Sequence, residues 1–158
     1  MKIAQGIQAA LALTGTPGPV PPAAPATGDP GIDTAGISRA LRTSGRMNGG
    51  VYQISVPRKE TIHDGGIEIP AVMGVATAIN FQPTSSGKAA ITGDFVLIAT
   101  EVNPVIKALT KNNIQVTSLH NHLLNDEPRL FFMHFWANDD AVKLASGLRE
   151  ALDLTATK

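Results

Sequence analysis

Six of the eleven prolines lie between Pro17 and Pro30, in the stretch TGTPGPVPPAAPATGDPG. Proline fixes φ and lacks an amide donor, and the interleaved alanines and glycines offer little to bury. An extended, partly polyproline-like linker is therefore expected over residues 17–31. A packed core must come from residues 32–158. The residues before the linker, MKIAQGIQAALALTGT, carry Ile3, Ile7, Ala10 and Leu11 at helical spacing and read as a short helix.

That short helix has a counterpart. Laid without a gap over residues 142–157, VKLASGLREALDLTAT, residues 1–16 are identical at eight of sixteen positions: Lys2/Lys143, Ala4/Ala145, Gly6/Gly147, Ala10/Ala151, Leu11/Leu152, Leu13/Leu154, Thr14/Thr155 and Thr16/Thr157. Met1/Val142, Ile3/Leu144 and Ile7/Leu148 are conservative exchanges. Two amphipathic helices share apolar positions by chance, but shared Lys, Gly and Thr in register point to duplication. Residues 1–16 are thus expected to be the remnant of the C-terminal helix of an upstream repeat, with one complete copy at 32–158. The rival reading of the N-terminus is a signal peptide, in which Gln5 and Gln8 interrupt the apolar run.

Thirteen basic residues balance thirteen acidic ones, which removes any general attraction to nucleic acid or an anionic membrane. The absence of cysteine excludes disulfides, zinc ribbons, iron–sulfur clusters and thiol nucleophiles. No stretch approaches the ~18 uninterrupted apolar residues of a membrane-spanning helix.

Within residues 32–158, Asp33 or Thr34 caps a helix that turns Ile37, Ala40 and Leu41 inward and stops at Gly49-Gly50. Residues 51–56 alternate Tyr52, Ile54 and Val56 with Gln53 and Ser55, the period of a half-buried strand. Asp64-Gly65-Gly66 turns a hairpin between residues 61–63 and 67–69. Residues 75–81 and 89–99 read as longer strands joined by PTSSGK. A helix over 100–113 takes Asn103 as its cap and Pro104 at its first position. Strands over 114–122 and 129–136 flank a polar loop at 123–128. Asn138 then caps a last helix with Val142, Ala145, Leu148 and Leu152 as its apolar stripe. The economical architecture is α+β, a largely antiparallel sheet with helices packed on one face.

Three of the four histidines fall within fifteen residues. On a strand His120 and His122 share a face, about 6.5–7 Å apart. On the returning strand Phe131, Met133 and Phe135 form the apolar face, leaving Phe132, His134 and Trp136 on the other. If the register aligns His134 with the pair, three imidazoles converge, and Glu127 or Asp126 completes the set. The expected site is a transition-metal site with His120, His122, His134 and Glu127 as ligands, Glu127 serving alternatively as a general base on metal-bound water. Three nitrogens and one carboxylate suit zinc, manganese, iron, nickel or copper, and the spacing does not choose among them.

The competing readings are a metal-free cleft in which the histidines and Trp136 line a small-ligand site, and a structural or interaction domain with bonded histidines. Phe132 and Trp136 can equally be core walls, and His63 beside its turn reads as a loop residue. The letters His120-Asn121-His122 are not a nuclease signature, and the likeness to cupin metal motifs lacks the glycines and the spacing. Ser85-Ser86-Gly87-Lys88 is half a phosphate loop between two strands and reads as a turn.

The run Asn48-Gly49-Gly50-Val51-Tyr52-Gln53, the segment AAITGDFVL from Ala89, Glu101-Val102-Asn103-Pro104-Val105, Leu119-His120-Asn121-His122 and EPRLFFMHFWAN from Glu127 together resemble the LppY/LpqO family, bacterial proteins that include mycobacterial lipoproteins. The resemblance covers nearly all of residues 33–151. It implies a tandemly duplicated, extracytoplasmic or periplasmic domain, and His120, His122 and His134 are the matching histidines. The chain departs from that pattern in having no lipobox cysteine, no export signal and no upstream copy, whose place a homodimer would fill.

Overall fold

The computed structural model describes residues 2–15, 18 and 31–157. The expected linker lies, apart from Gly18 and Gly31, outside the described residues.

Helix α1 (Lys2–Leu11) forms as its spacing predicts, yet among the described residues it has no buried side chain: Ile3 is 82% and Ile7 57% exposed. Its counterpart α4 (Ala141–Leu152) buries Leu144, Ala145, Leu148, Ala151 and Leu152. The two helices end alike. Thr14 Oγ1 donates to the Leu11 carbonyl and Thr155 Oγ1 to the Leu152 carbonyl, both at 2.8 Å. Such a bond satisfies one of the carbonyls left over at a helix C-terminus.

Asp33 caps α2 (Thr34–Leu41), its carboxylate accepting from the Gly36 amide at 2.7 Å. The helix stops eight residues before the expected Gly49-Gly50, because Arg42 turns left-handed at φ 57°. The glycine pair instead turns a hairpin between β1 (Arg46–Asn48) and β2 (Val51–Pro57). Consecutive positive φ values of 56° and 83° make glycine the natural residue at both positions. The second glycine hairpin joins β3 (Ile62–Asp64) to β4 (Ile67–Ile69), as the sequence predicts.

A 3-10 turn at Ala71–Met73 leads into β5 (Ala76–Ser85) and β6 (Lys88–Leu97). Helix α3 (Ala99–Lys111) starts earlier than expected. Its cap is not Asn103: Glu101 bends back to accept from the Ile98 amide at 2.9 Å, and Pro104 sits inside the helix. The remaining strands are β7 (Gln115–His120), β8 (Asp126–Glu127) and β9 (Phe131–Asp140). Asn138 stays in β9 opposite Ala90, and Asp140 caps α4 by accepting from the Lys143 amide at 2.8 Å.

The fold is α+β. Six strands in the order β1-β2-β5-β6-β9-β7 form one fully antiparallel sheet, and β4-β3-β8 form a second, smaller one. One face of the large sheet packs under α2, α3 and α4, with Ile79, Phe81, Ile91, Phe95, Met133 and Phe135 in the main core. The opposite face carries Gln53, Asn80, Thr92, Asp94, His134 and Trp136. At one end it is covered by the small sheet through a second cluster of Ile62, Val75, Val96, Leu130 and Phe132.

Arg58 and Glu101, 3% and 8% exposed, tie β2, the start of α3 and the C-terminal segment together. Glu101 accepts four hydrogen bonds: from the two Arg58 Nη groups at 2.7 and 3.1 Å, the Ile98 amide at 2.9 Å and the Ala156 amide at 2.9 Å. That fills the acceptor capacity of a carboxylate. Arg58 also donates to the Val96 carbonyl at 2.8 Å and pairs with Glu60 at 2.9 Å. Among the described residues no helix is long and apolar enough to cross a membrane.

Candidate functional site

Antiparallel pairing places the site. Asp94 on β6 lies opposite His134 on β9, and Ser118 on β7 opposite His134 from the other side. Paired residues share a face, so Asp94 and His134 both look onto the uncovered side of the sheet, as does His120, opposite Phe132. A register shift between Val116 and Ser118 changes the phase of β7. It sets Val116 toward the helices and His120 toward the open face.

His120 and His134 meet. Their Nε2 atoms are 2.7 Å apart and their rings stack at 4.7 Å between centroids. His134 Nδ1 lies 3.2 Å from the Gly93 carbonyl. A carbonyl only accepts, so this bond puts a proton on Nδ1. In neutral His134, Nε2 is then the acceptor and His120 Nε2–H the donor.

His122 is not on the strand as expected. β7 stops at His120, and His122 lies in the following bend. Its ring returns to the cluster by stacking on Phe132, 3.5 Å between centroids and 13° between planes, and lies 4.9 Å from the His120 ring. His122 Nε2 is 3.6 Å from Asp94 Oδ2, and His134 Nδ1 is 3.7 Å from Asp94 Oδ1.

Among the described residues, the carboxylate within ion-pairing reach of these imidazoles is Asp94. Glu127, the expected fourth ligand and base, is exposed on β8 opposite His63, in the small sheet. Asp126 is buried and braces the loop, accepting from Arg129 at 2.9 Å and from the Leu130 amide at 2.8 Å. Arg129 in turn donates to the Leu124 carbonyl at 2.8 Å. The acidic loop therefore holds the β7–β9 connection in shape.

Burial pushes the Asp94 carboxyl above its ordinary range, with the three histidines pulling the other way. Burial also pushes His122 below the usual imidazole value, helped by the neighbouring His120 and His134 and opposed by Asp94 and the Gly74 carbonyl. Among the described residues, the buried Asp94 Oδ1 has no hydrogen-bond partner. As the side chains stand, no group of three or more His, Asp or Glu among the described residues encloses a metal position.

The fold and site define an α+β domain that carries a histidine–aspartate cluster on the uncovered face of an antiparallel sheet. The chain belongs to the family described as Domain of Unknown Function (DUF1259), whose sequence model matches residues 35–154. The match spans α2 to the end of α4 and includes every residue of the cluster. No curated protein and no solved structure matches the chain.

Proposed function

We propose that the domain binds a transition metal ion on the open sheet face through His120 and His134, with His122 and Asp94 completing the coordination. The observation that carries this reading is the opposition of two imidazole Nε2 atoms, one backed at its other nitrogen by the Gly93 carbonyl. A histidine that donates its second N–H to a carbonyl is oriented and made more basic in the manner of metal-bound imidazoles. The buried Asp94 Oδ1, which has no hydrogen-bond partner among the described residues, supports the same reading, since such an atom calls for a cation or a donor.

On nitrogen–metal bonds of about 2.0–2.1 Å, two nitrogens 2.7 Å apart subtend about 80° at a shared ion, and the tetrahedral angle requires about 3.3 Å. Opening the pair by about 0.6 Å is a small ring rotation for half-exposed side chains. Asp94 takes the position expected for Glu127, as a ligand or as the base beside metal-bound water. An envelope location rests on the resemblance to the LppY/LpqO lipoproteins.

The second reading is metal-free. The same atoms make a closed chain, His120 to His134 to the Gly93 carbonyl, that needs no ion to satisfy it. The experiment that separates the two is metal analysis of the full chain after exposure to zinc, copper, nickel and manganese salts, with melting curves in parallel. We expect about one equivalent bound, lost in His134→Ala. At a hundredfold excess over Kd the stabilisation is about 2.7 kcal/mol, or about 10 °C in Tm. No stoichiometric metal, with Tm unchanged in chelator, refutes the metal reading.

A further inference from the structure

Beside the histidine cluster the open face carries a second row of side chains. The pairings Arg46↔Gln53, Gln53↔Asn80, Asn80↔Thr92, Thr92↔Trp136 and Trp136↔Gln115 run this row straight across all six strands. Its neighbour, two residues along each strand, contains Asp94 and His134, so the rows lie about 6.5–7 Å apart. Between Gln53 and Gln115 the row holds no charged side chain; Arg46 stands at its far end.

The amides of this row are already ordered. Asn48 donates to Gln53 at 2.9 Å, Gln53 to Asn80 at 3.0 Å, and Asn80 to the Thr92 carbonyl at 3.3 Å. Next to them Trp136 is 48% exposed, on a strand flanked on both sides by others. A hollow of about 280 Å³ lies over Gln53, Asn80, Gln82, Thr92 and Trp136. It shares Gln53 and Asn80 with a second hollow of about 560 Å³ that runs on to Arg46 under Val72.

We propose that this row is a binding groove for a neutral polyhydroxyl chain, a glycan, with Trp136 as the stacking platform and Gln53, Asn80 and Gln115 bonding its hydroxyls. An open indole offers a broad, rigid apolar plane at small entropic cost, which suits the C–H face of a sugar ring. Side-chain amides each present both donors and an acceptor, matching hydroxyls that are both. An anionic ligand lacks a counter-charge over most of the floor, and a purely apolar one would cover the second N–H of the Gln53 and Asn80 amides, left over by the row's own bonds, without a partner. Four strand spacings separate Gln53 from Gln115, about 19 Å, which fits an oligosaccharide rather than a single sugar. The inference deepens the metal reading by naming what is presented to the histidine cluster, and it stands on its own residues.

Trp136 is the sole tryptophan, so tryptophan fluorescence, excited away from Tyr52, reports on this groove. The full chain is titrated with neutral tetrasaccharides of glucose, mannose and N-acetylglucosamine, with and without chelator. We expect saturable quenching or a blue shift with at least one of them. Affinity should fall at least about tenfold in Asn80→Ala, read by the same fluorescence, and in Trp136→Ala, read by calorimetry. Trp136→Ala should keep its metal, and His134→Ala should keep its glycan, so failure of either reading is seen separately. No response from any oligosaccharide at millimolar concentration overturns the proposal, as does undiminished binding by Trp136→Ala. Trp136-dependent dimerisation without glycan binding overturns it in favour of a second copy of the chain as the occupant.

Discussion

Replacing Glu101 by glutamine keeps the shape of the side chain and removes its charge. In the native fold the carboxylate takes four hydrogen bonds, two of them from a guanidinium that is itself 3% exposed. Glutamine sets an NH2 where two donors already point, so one Arg58 Nη and either the Ile98 or the Ala156 amide lose that acceptor. Removing one partner of a buried ion pair costs about 3–5 kcal/mol. At about 4 °C per kcal/mol for a domain of this size, the melting midpoint falls by about 12–20 °C.

The assay is thermal and urea denaturation followed by circular dichroism, on Glu101→Gln, Arg58→Met and the double variant. Because both single changes break one pair, the double variant should lose less than their sum, by about 2 kcal/mol or more. The pH dependence adds a second reading. Burial alone would raise the Glu101 pKa, but the Arg58 hydrogen bonds and the Ile98 and Ala156 amides hold it below the ordinary carboxylate value. The folded state then binds fewer protons than the unfolded chain. The stabilisation is present above about pH 4.3 and is lost as pH falls through the depressed native value. Glu101→Gln should flatten that part of the acid slope. A loss below about 1 kcal/mol, with additive single variants, would refute the argument that this carboxylate pins α3 and the C-terminal segment to β2.

Two other substitutions test how the sheet supports the cluster. A Cβ on Gly93 would run into the Ala78 carbonyl and come within 2.7 Å of Phe135 Cζ. Gly93→Ala is therefore expected to lose about 1–3 kcal/mol in urea denaturation and to weaken metal binding measured on the folded fraction, because the Gly93 carbonyl holds His134. Tyr52 OH accepts from the Gly45 amide at 2.8 Å and bonds Ser38 at 2.7 Å. Tyr52→Phe leaves that amide unpaired and should cost about 1–3 kcal/mol while metal content per folded molecule stays at the wild-type level.

Periodicity exposed most of the fold because local rules govern it. The alternation of Tyr52, Ile54 and Val56 and the turn at Asp64-Gly65-Gly66 are decided within a few residues, whereas Gly49-Gly50, expected to stop a helix, turns a hairpin because Arg42 has already ended α2. Element ends were less legible. Asn103 and Asn138 are good caps by type, but Glu101, through its bond to the Ile98 amide, starts α3 earlier, and the Lys88–Asp140 pairing carries β9 past Asn138. Of the cluster, His120 and His134 could be seen from spacing on a hairpin. Asp94 could not, because its partner strand is set by the long-range pairing of β6 with β9. Its one local signal is an acidic residue inside the apolar strand AAITGDFVL. Glu127 is close in sequence to the histidines, yet its short strand pairs with β3 and sets it opposite His63.

His120 and His134 do not stand on equal ground. β9 is held between two neighbours, whereas β7 is, among the described residues, the outermost strand of the sheet, paired on one side only and interrupted by its register shift. Edge segments with few buried contacts open locally at a free energy below that of global unfolding. Each such opening withdraws His120 and leaves His134 on its carbonyl, so the lifetime of the assembled cluster follows the fraying of one strand, and whatever binds across both histidines also fastens the edge of the sheet.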